Sequence, residues 1–210
     1  MKNLRKLFVL LVIAAVSMQF MSCIGDDDDM PEVISGSTYS TYMSNMVGSY
    51  SGKLYYWNED LTDDDKTDSV SIYAYVKGSG DSLITASVPA SVFANSIIDD
   101  DEMRDAMYKM EDITLKLKYY LYYEQDGYIL LGIYPQTITD EFVDDDGESH
   151  TVEMTFYNES NYTGWYMGGY LYAAFYLTEL KIDDTVLCDY MITGTTTDDN
   201  AIYNLFIEKY

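Results

Sequence analysis

Residues 113–124 alternate without a break. Ile113, Leu115, Leu117, Tyr119, Leu121 and Tyr123 fall on one face, and Thr114, Lys116, Lys118, Tyr120, Tyr122 and Glu124 on the other. Period-two alternation puts successive side chains on opposite sides of an extended chain, so this run is a strand with one face buried. Asp126-Gly127 follows. Both positions of that pair accept φ > 0, which a two-residue hairpin turn requires. Tyr128 to Tyr134 then returns as a nearly continuous apolar strand.

The same pattern recurs through most of the chain. Gly48 to Trp57 opens it, and Val70, Ile72, Ala74 and Val76 alternate with Ser71, Tyr73, Tyr75 and Lys77. Leu83 to Val88 is stopped by Pro89, which cannot donate to a ladder. Thr137 to Val143 and Thr151 to Tyr157 flank the turn Asp144 to Gly147; Tyr170 to Ile182 and Thr185 to Tyr190 flank Asp183-Asp184; Ala201 to Glu208 closes the chain. One helix interrupts the strands. Asp99 is its expected cap, with Glu102 completing a capping box and Ile98 stapled on Met103, ahead of an apolar stripe of Met103, Ala106, Met107 and Met110. Connections this short favour a meander, and a meander this long must hide its edges. The expected fold is all-β: an antiparallel meander rolled into a barrel with one short helix packed on it. A two-layer β-sandwich is the alternative.

The N-terminus reads differently. Lys2, Arg5 and Lys6 precede an apolar run from Leu7 to Val16, and Phe20-Met21-Ser22 leads into Cys23. A basic start, a short apolar stretch and a small residue before the cut make a secretory signal peptide. The apolar run is well short of the roughly 20 residues a spanning helix needs. With a cysteine after the small residue, the segment resembles the lipobox of a bacterial lipoprotein. That resemblance implies removal of residues 1–22 and acylation of Cys23. Asp26, Asp27, Asp28 and Asp29 follow at once, and this acidic run resembles the surface-export signal of Bacteroidetes lipoproteins. Residues 23–46, polar and poor in periodic apolar positions, are expected to be a flexible tether, and residues 47–210 a single β-rich domain.

Charge limits the partners. Twelve basic residues against 36 acidic ones give a net charge of −24, and loss of Lys2, Arg5 and Lys6 with the signal takes it to −27. Such a surface repels nucleic acid and anionic lipid headgroups, leaving the acylated Cys23 as the expected hold on the membrane. High charge can accompany disorder, but 23 tyrosines and 48 % hydrophobic residues predict a folded chain. Cys188, which follows Val186 and Leu187, is expected to be a buried, inert thiol.

Catalytic patterns are sparse. The single histidine, His150, has no serine in a Gly-x-Ser-x-Gly elbow to work with, and reads as an exposed hairpin residue. Ligands for a histidine- or cysteine-held zinc are lacking, and no glycine-rich loop joins a strand to a helix. No cofactor, metal or catalytic residue is assigned. Asp144, Asp146 and Glu148 alternate as calcium ligands do, but Gly147 falls at the fourth position instead of the sixth, and solvated turns account for the acidic runs. A pair of carboxylates for glycoside hydrolysis needs only the right spacing in space, which the sequence does not specify.

Aromatic residues are the stronger functional signal. Tyr120 and Tyr122 project from the long alternating strand, and Tyr170 and Tyr172 crowd another near Trp165. Such rings either fill a half-buried sheet face or present a platform to a sugar or an apolar ligand. Val47-Gly48-Ser49-Tyr50-Ser51-Gly52-Lys53-Leu54, Ser87-Val88-Pro89-Ala90 and Ile133-Tyr134-Pro135-Gln136-Thr137-Ile138 are similar to an uncharacterised family, domain of unknown function 4840. The Gly48-x-Tyr50-x-Gly52 opening also looks like the start of a calycin-type barrel. The resemblance carries no activity. The expectation is a non-enzymatic outer-membrane lipoprotein, displayed at the cell surface, that binds a glycan or small apolar ligand through Trp165, Tyr170, Tyr172, Tyr120 and Tyr122. The alternative is a structural or accessory lipoprotein that contacts an envelope protein.

Overall fold

The computed structural model describes residues 32–34, 36–58, 61, 66–78, 80–97, 99–157, 162–189 and 202–210. Residues 33–210 form one compact unit. Its strands, preceded by β1 (Glu32–Val33), are β2 (Gly48–Trp57), β3 (Thr67–Lys77), β4 (Leu83–Val88), β5 (Ile113–Gln125), β6 (Tyr128–Pro135), β7 (Ile138–Val143), β8 (Ser149–Phe156), β9 (Tyr162–Met167), β10 (Tyr170–Ile182), β11 (Thr185–Asp189) and β12 (Ile202–Lys209). Three helices are described: α1 (Gly36–Met46), α2 (Ser91–Ala94) and α3 (Asp101–Tyr108).

Eight strands close an antiparallel barrel in the order β2-β3-β4-β5-β6-β9-β10-β12, and β12 returns to β2 through Leu205↔Leu54 and its neighbours. From β2 to β6 this is the expected meander. It then departs from sequence order, because β10 divides its length between two sheets. Tyr170 to Tyr176 of β10 pair with β12, whereas Leu177 to Ile182 pair with β8 and Glu179 to Ile182 with β11. Register shifts at Leu177/Glu179 and Leu180/Lys181 accompany the strand as it leaves the wall. The β7–β8 hairpin and β11 therefore build a second, smaller sheet on the projecting half of β10, and β6 finds its neighbour in β9.

Alternation decides what fills the barrel. Tyr50 and Leu54, Ile72 to Val76 at every second position, Leu115 to Leu121 likewise, and Leu171, Ala173 and Phe175 all join one buried cluster. Tyr50, Tyr119 and Tyr203 are fully buried, and each hydroxyl finds a partner near a barrel end. Tyr50 donates to Met46 O at 2.7 Å, Tyr119 to Lys77 O at 2.7 Å, and Tyr203 lies 3.0 Å from Ser96 Oγ. Burial pushes all three phenols well above the ordinary tyrosine range, so they stay neutral donors.

Both ends are covered. α2 and the turn after it seat Phe93 and Ile97 in the core at one end. α1 covers the other and corrects the expectation of a flexible tether over residues 23–46, whose second half is helix. Its stripe is Tyr39, Tyr42, Met43 and Met46, spaced i, i+3, i+4, i+7, with Met43 and Met46 buried. Carbonyls at a helix C-terminus lack intrahelical donors. Here the barrel supplies them: Lys209 Nζ donates to Asn45 O at 2.8 Å and Tyr166 OH to the same oxygen at 3.2 Å, beside the Tyr50–Met46 bond. Lys209 also sets a positive charge at the negative end of the helix dipole. Ahead of α1, Ile34 N donates to Tyr122 O at 3.2 Å.

Two smaller corrections concern α3 and its surroundings. Its cap is Asp100, whose carboxylate accepts from Met103 N at 3.0 Å, one residue beyond the expected Asp99. α3 is also one of three described helices instead of a lone one: α2 has only four residues, and the stripe of α1 lies among serines and threonines, which are weak helix formers.

Candidate functional site

Trp165, Tyr170 and Tyr172 come together on the outside of the barrel. Leu171, Ala173, Leu205 and Ile207 point into the core, which turns Tyr170, Tyr172, Phe206 and Glu208 to the opposite face. Register places Phe206, Tyr172 and Trp165 in one row across β12, β10 and β9. Trp165 stacks on Tyr172 with centroids 5.8 Å apart and 24° between planes, and meets Tyr128 edge-on at 5.5 Å and Phe206 at 6.1 Å. Tyr170 stacks on Phe206 at 6.0 Å. The result is a continuous ridge of five rings over four strands. Tyr172 is its floor and not its face: it is only 5 % exposed, and its hydroxyl donates to Asn204 Oδ1 at 2.7 Å. Burial holds its phenol well above the ordinary value.

Tyr120 and Tyr122 lie in a separate group on β5 and β6. Tyr120 packs edge-on against Tyr134 at 5.3 Å, and the hydroxyls of Tyr122 and Tyr134 are 2.7 Å apart. That bond, then partial burial, pushes the Tyr122 phenol up to about 12. A register shift between Leu121 and Tyr123 re-aims the strand here. The Tyr122 ring then lies against Gly132, where an added Cβ would fall 2.4 Å from Tyr122 Cε2.

Sequence reasoning missed a third set of rings. Tyr73, Tyr75 and Tyr210 are 71 %, 46 % and 76 % exposed, and Tyr170 is 37 % exposed. Register lines up Tyr73, Ser51, Glu208 and Tyr170 across β3, β2, β12 and β10, and places Tyr75 opposite Ser49. Tyr210 N donates to Ser49 O at 3.3 Å, so the C-terminal ring belongs to the same wall. At about 4.8 Å per strand spacing, Tyr73 and Tyr170 flank a strip of serines and Glu208 roughly 14 Å across. Glu208 accepts from the Tyr170 hydroxyl and raises its pKa, and Lys53 Nζ reaches Ser69 Oγ at 3.2 Å at the far end of the strip. The strip was hidden because Ser49 and Ser51 look unremarkable until β12 and β3 are placed beside them.

Other residues singled out in the sequence fall elsewhere. Cys23 and Asp26 to Asp29 lie outside the described residues. Cys188 is buried. Asp144, proposed and set aside as a calcium ligand, spends Oδ1 on its own turn, accepting from Asp146 N at 2.9 Å and Glu148 N at 2.8 Å. His150 is not an exposed hairpin residue: its side chain is 13 % exposed and both ring nitrogens are engaged. Two open hollows of about 440 and 730 Å³ flank α1, the first lined by Tyr42, Asn45, Glu124 and Lys209, the second by Tyr39, Met43, Tyr75 and Lys77.

Comparison with known proteins adds one match. No curated protein and no solved structure matches the chain significantly. Residues 45–182, from the end of α1 through the last residue of β10, match the family described as Domain of unknown function (DUF4840). That stretch is well over half of the chain and contains the motifs whose resemblance was noted in the sequence, and the protein belongs to this family.

Proposed function

We propose that this protein is a non-enzymatic outer-membrane lipoprotein of the Bacteroidetes surface type, held by acyl chains on Cys23 and exported by Asp26 to Asp29, that binds a glycan on the aromatic outer wall of its barrel. The observation that carries the reading is where the rings lie. Small apolar ligands favour enclosed apolar cavities, and this interior is packed with leucine, isoleucine and tyrosine side chains. The exposed tyrosines lie outside, interleaved with Ser49, Ser51 and Glu208, the mixture of flat apolar faces and hydroxyl-bonding groups that a sugar ring fits. A net charge of −27 after loss of Lys2, Arg5 and Lys6 selects an uncharged glycan over an anionic one.

Affinity electrophoresis of the whole mature chain against neutral polysaccharides tests the binding. Tyr73→Ala and Tyr170→Ala each remove one stacking face worth about 1 kcal/mol, so each weakens retention about fivefold. Wild-type affinity in both variants rejects this wall as the site. Anchoring has its own test. Cys23→Ala moves the protein from the membrane fraction to the soluble one, because several buried acyl chains, at about 0.8 kcal/mol per CH₂, supply the hold. A variant that stays fully membrane-bound rejects the lipid assignment. The second reading, an accessory lipoprotein that contacts an envelope protein, is favoured by the filled barrel and gains ground if no polysaccharide retards the chain.

A further inference from the structure

The single histidine of the chain sits between two carboxylates from two different hairpins. His150, on β8, has Nδ1 2.6 Å from Asp183 Oδ2 in the β10–β11 turn and Nε2 3.1 Å from Asp144 Oδ2 in the β7–β8 turn. The other oxygen of each acid is already committed to backbone. Asp183 Oδ1 accepts from Thr151 N at 2.9 Å, and Asp144 Oδ1 from Asp146 N and Glu148 N. The ring lies over Phe142, its cross-strand partner on β7, with centroids 5.3 Å apart.

Ring chemistry makes this arrangement depend on protonation. A neutral imidazole has one N–H and one lone pair, so it can donate to only one of two carboxylates and must turn its lone pair on the other. Imidazolium donates to both. We propose that His150 is a proton-operated clamp: protonated, it ties the β7–β8 turn to the β10–β11 turn, and on losing its proton it releases one of them and loosens the β7–β8 hairpin. The response is expected at this hairpin, because β7 is the terminal strand of the main strand order and its ladder is with β8. This device is independent of what the aromatic wall binds.

The neighbouring charges do not undo the clamp. On the β7–β8 turn, Asp145 is taken by Lys109 Nζ from the end of α3 at 2.5 Å, while Asp146 and Glu148 are exposed at the turn surface. On β10, Lys181 is paired with Glu179 at 2.5 Å and also feels Glu153 of β8 and Asp184 of the second turn. β7 contributes the Phe142 ring. The bonds to Asp183 and then Asp144 hold His150 above its ordinary value of 6.5, outweighing desolvation. Asp144, through His150 and Glu148 N, and Asp183, through Thr151 N and His150, are held below the ordinary 3.8. A raised histidine stabilises fully below its unfolded value and loses that contribution as pH rises through its folded midpoint; lowered carboxylates do the reverse on acidification. The clamp is therefore closed between about 3.8 and 6.5 and opens above the raised histidine midpoint.

With a single histidine, the imidazole NMR signal of the whole chain reports His150 without assignment. The expected midpoint lies above 6.5. Hydrogen exchange of peptides covering 140–156 and 179–188, corrected for intrinsic rates, should then accelerate on passing through that midpoint. Each unit by which the midpoint is raised corresponds to about a tenfold change in the opening equilibrium. His150→Gln, whose uncharged amide has a donor group at one end and an acceptor at the other and does not titrate, should show the fast exchange at every pH. A midpoint at or below 6.5, or hairpin protection that is flat across the midpoint, overturns the clamp. A Gln variant that keeps the wild-type pH dependence overturns it as well.

Discussion

Phe93→Ala lowers the stability of this protein by about 3–5 kcal/mol, the range for emptying a buried phenylalanine site. Phe93 is fully buried and closes a cluster of four rings where the barrel and the smaller sheet part. Its centroid is 5.2 Å from Tyr203 of β12 and 6.3 Å from Phe156 of β8. Phe175 of β10 completes the group, stacked 5.4 Å from Tyr203 and edge-on to Phe156 at 5.8 Å. β12 belongs to the barrel, β8 to the smaller sheet and β10 to both, so the cavity cannot be closed by moving one element. Tyr203 also depends on the same turn, through Ser96 Oγ. Urea denaturation followed by tyrosine fluorescence measures the loss. At about 2–4 °C per kcal/mol for a chain of this size, the thermal midpoint falls by roughly 6–20 °C. A loss below about 1 kcal/mol would mean that α2 does not hold the junction together.

Gly52→Ala attacks the seam of the barrel and is expected to cost at least about 3 kcal/mol, the upper part of the range for overpacking. An added Cβ would stand 2.1 Å from Phe206 O and 2.7 Å from Ile207 Cα. Both are backbone atoms of β12, so no rotamer change relieves the contact. Gly52 pairs with Ile207 in the β2–β12 ladder that closes the cylinder. Relief requires opening that ladder, and an opened barrel has two long edges that nothing covers. Gly147→Ala makes a useful control. There an added Cβ meets nothing within 4 Å, although φ is +86°, so the cost is the left-handed backbone alone, about 1–2 kcal/mol. Equal denaturation midpoints for the two variants would contradict close packing at the seam.

Individual elements show why parts of this fold were legible and others were not. β5 was plain because twelve of its residues alternate and leave no competing periodicity, and Asp126-Gly127 has the positive φ at both positions that its composition demands. β9 was missed. It has only six residues, with Gly164 in the middle, and that glycine is needed because an added Cβ would fall 2.8 Å from Tyr172 O on the neighbouring strand. α1 carried a readable stripe in Tyr39, Tyr42, Met43 and Met46, but its serines and threonines are weak helix formers. They are tolerated because hydroxyls fold back on the helix, as Thr41 Oγ1 does on Ser37 O and Ser44 Oγ on Ser40 O, each at 2.9 Å. The aromatic wall was half legible. Trp165, Tyr170 and Tyr172 drew attention as a crowd, whereas Tyr73, Tyr75 and Tyr210 looked like ordinary strand tyrosines.

From its own residues the chain determined the properties that are local: the positions and facing of most strands, the hairpin turns at Asp126-Gly127 and Asp183-Asp184, the acidic surface and the membership in its family. Those depend on periodicity, turn stereochemistry and charge count, all of which act within a few residues. Tertiary structure alone decided that β10 runs out of the barrel to found a second sheet, that α1 closes one end, that Tyr172 is covered while Tyr73 is not, and that His150 meets Asp144 and Asp183. Apart from the His150–Asp144 contact, which spans six residues, each of these joins residues far apart in the chain. Which strand takes which neighbour follows from how the cylinder closes around its core, a quantity no single segment carries.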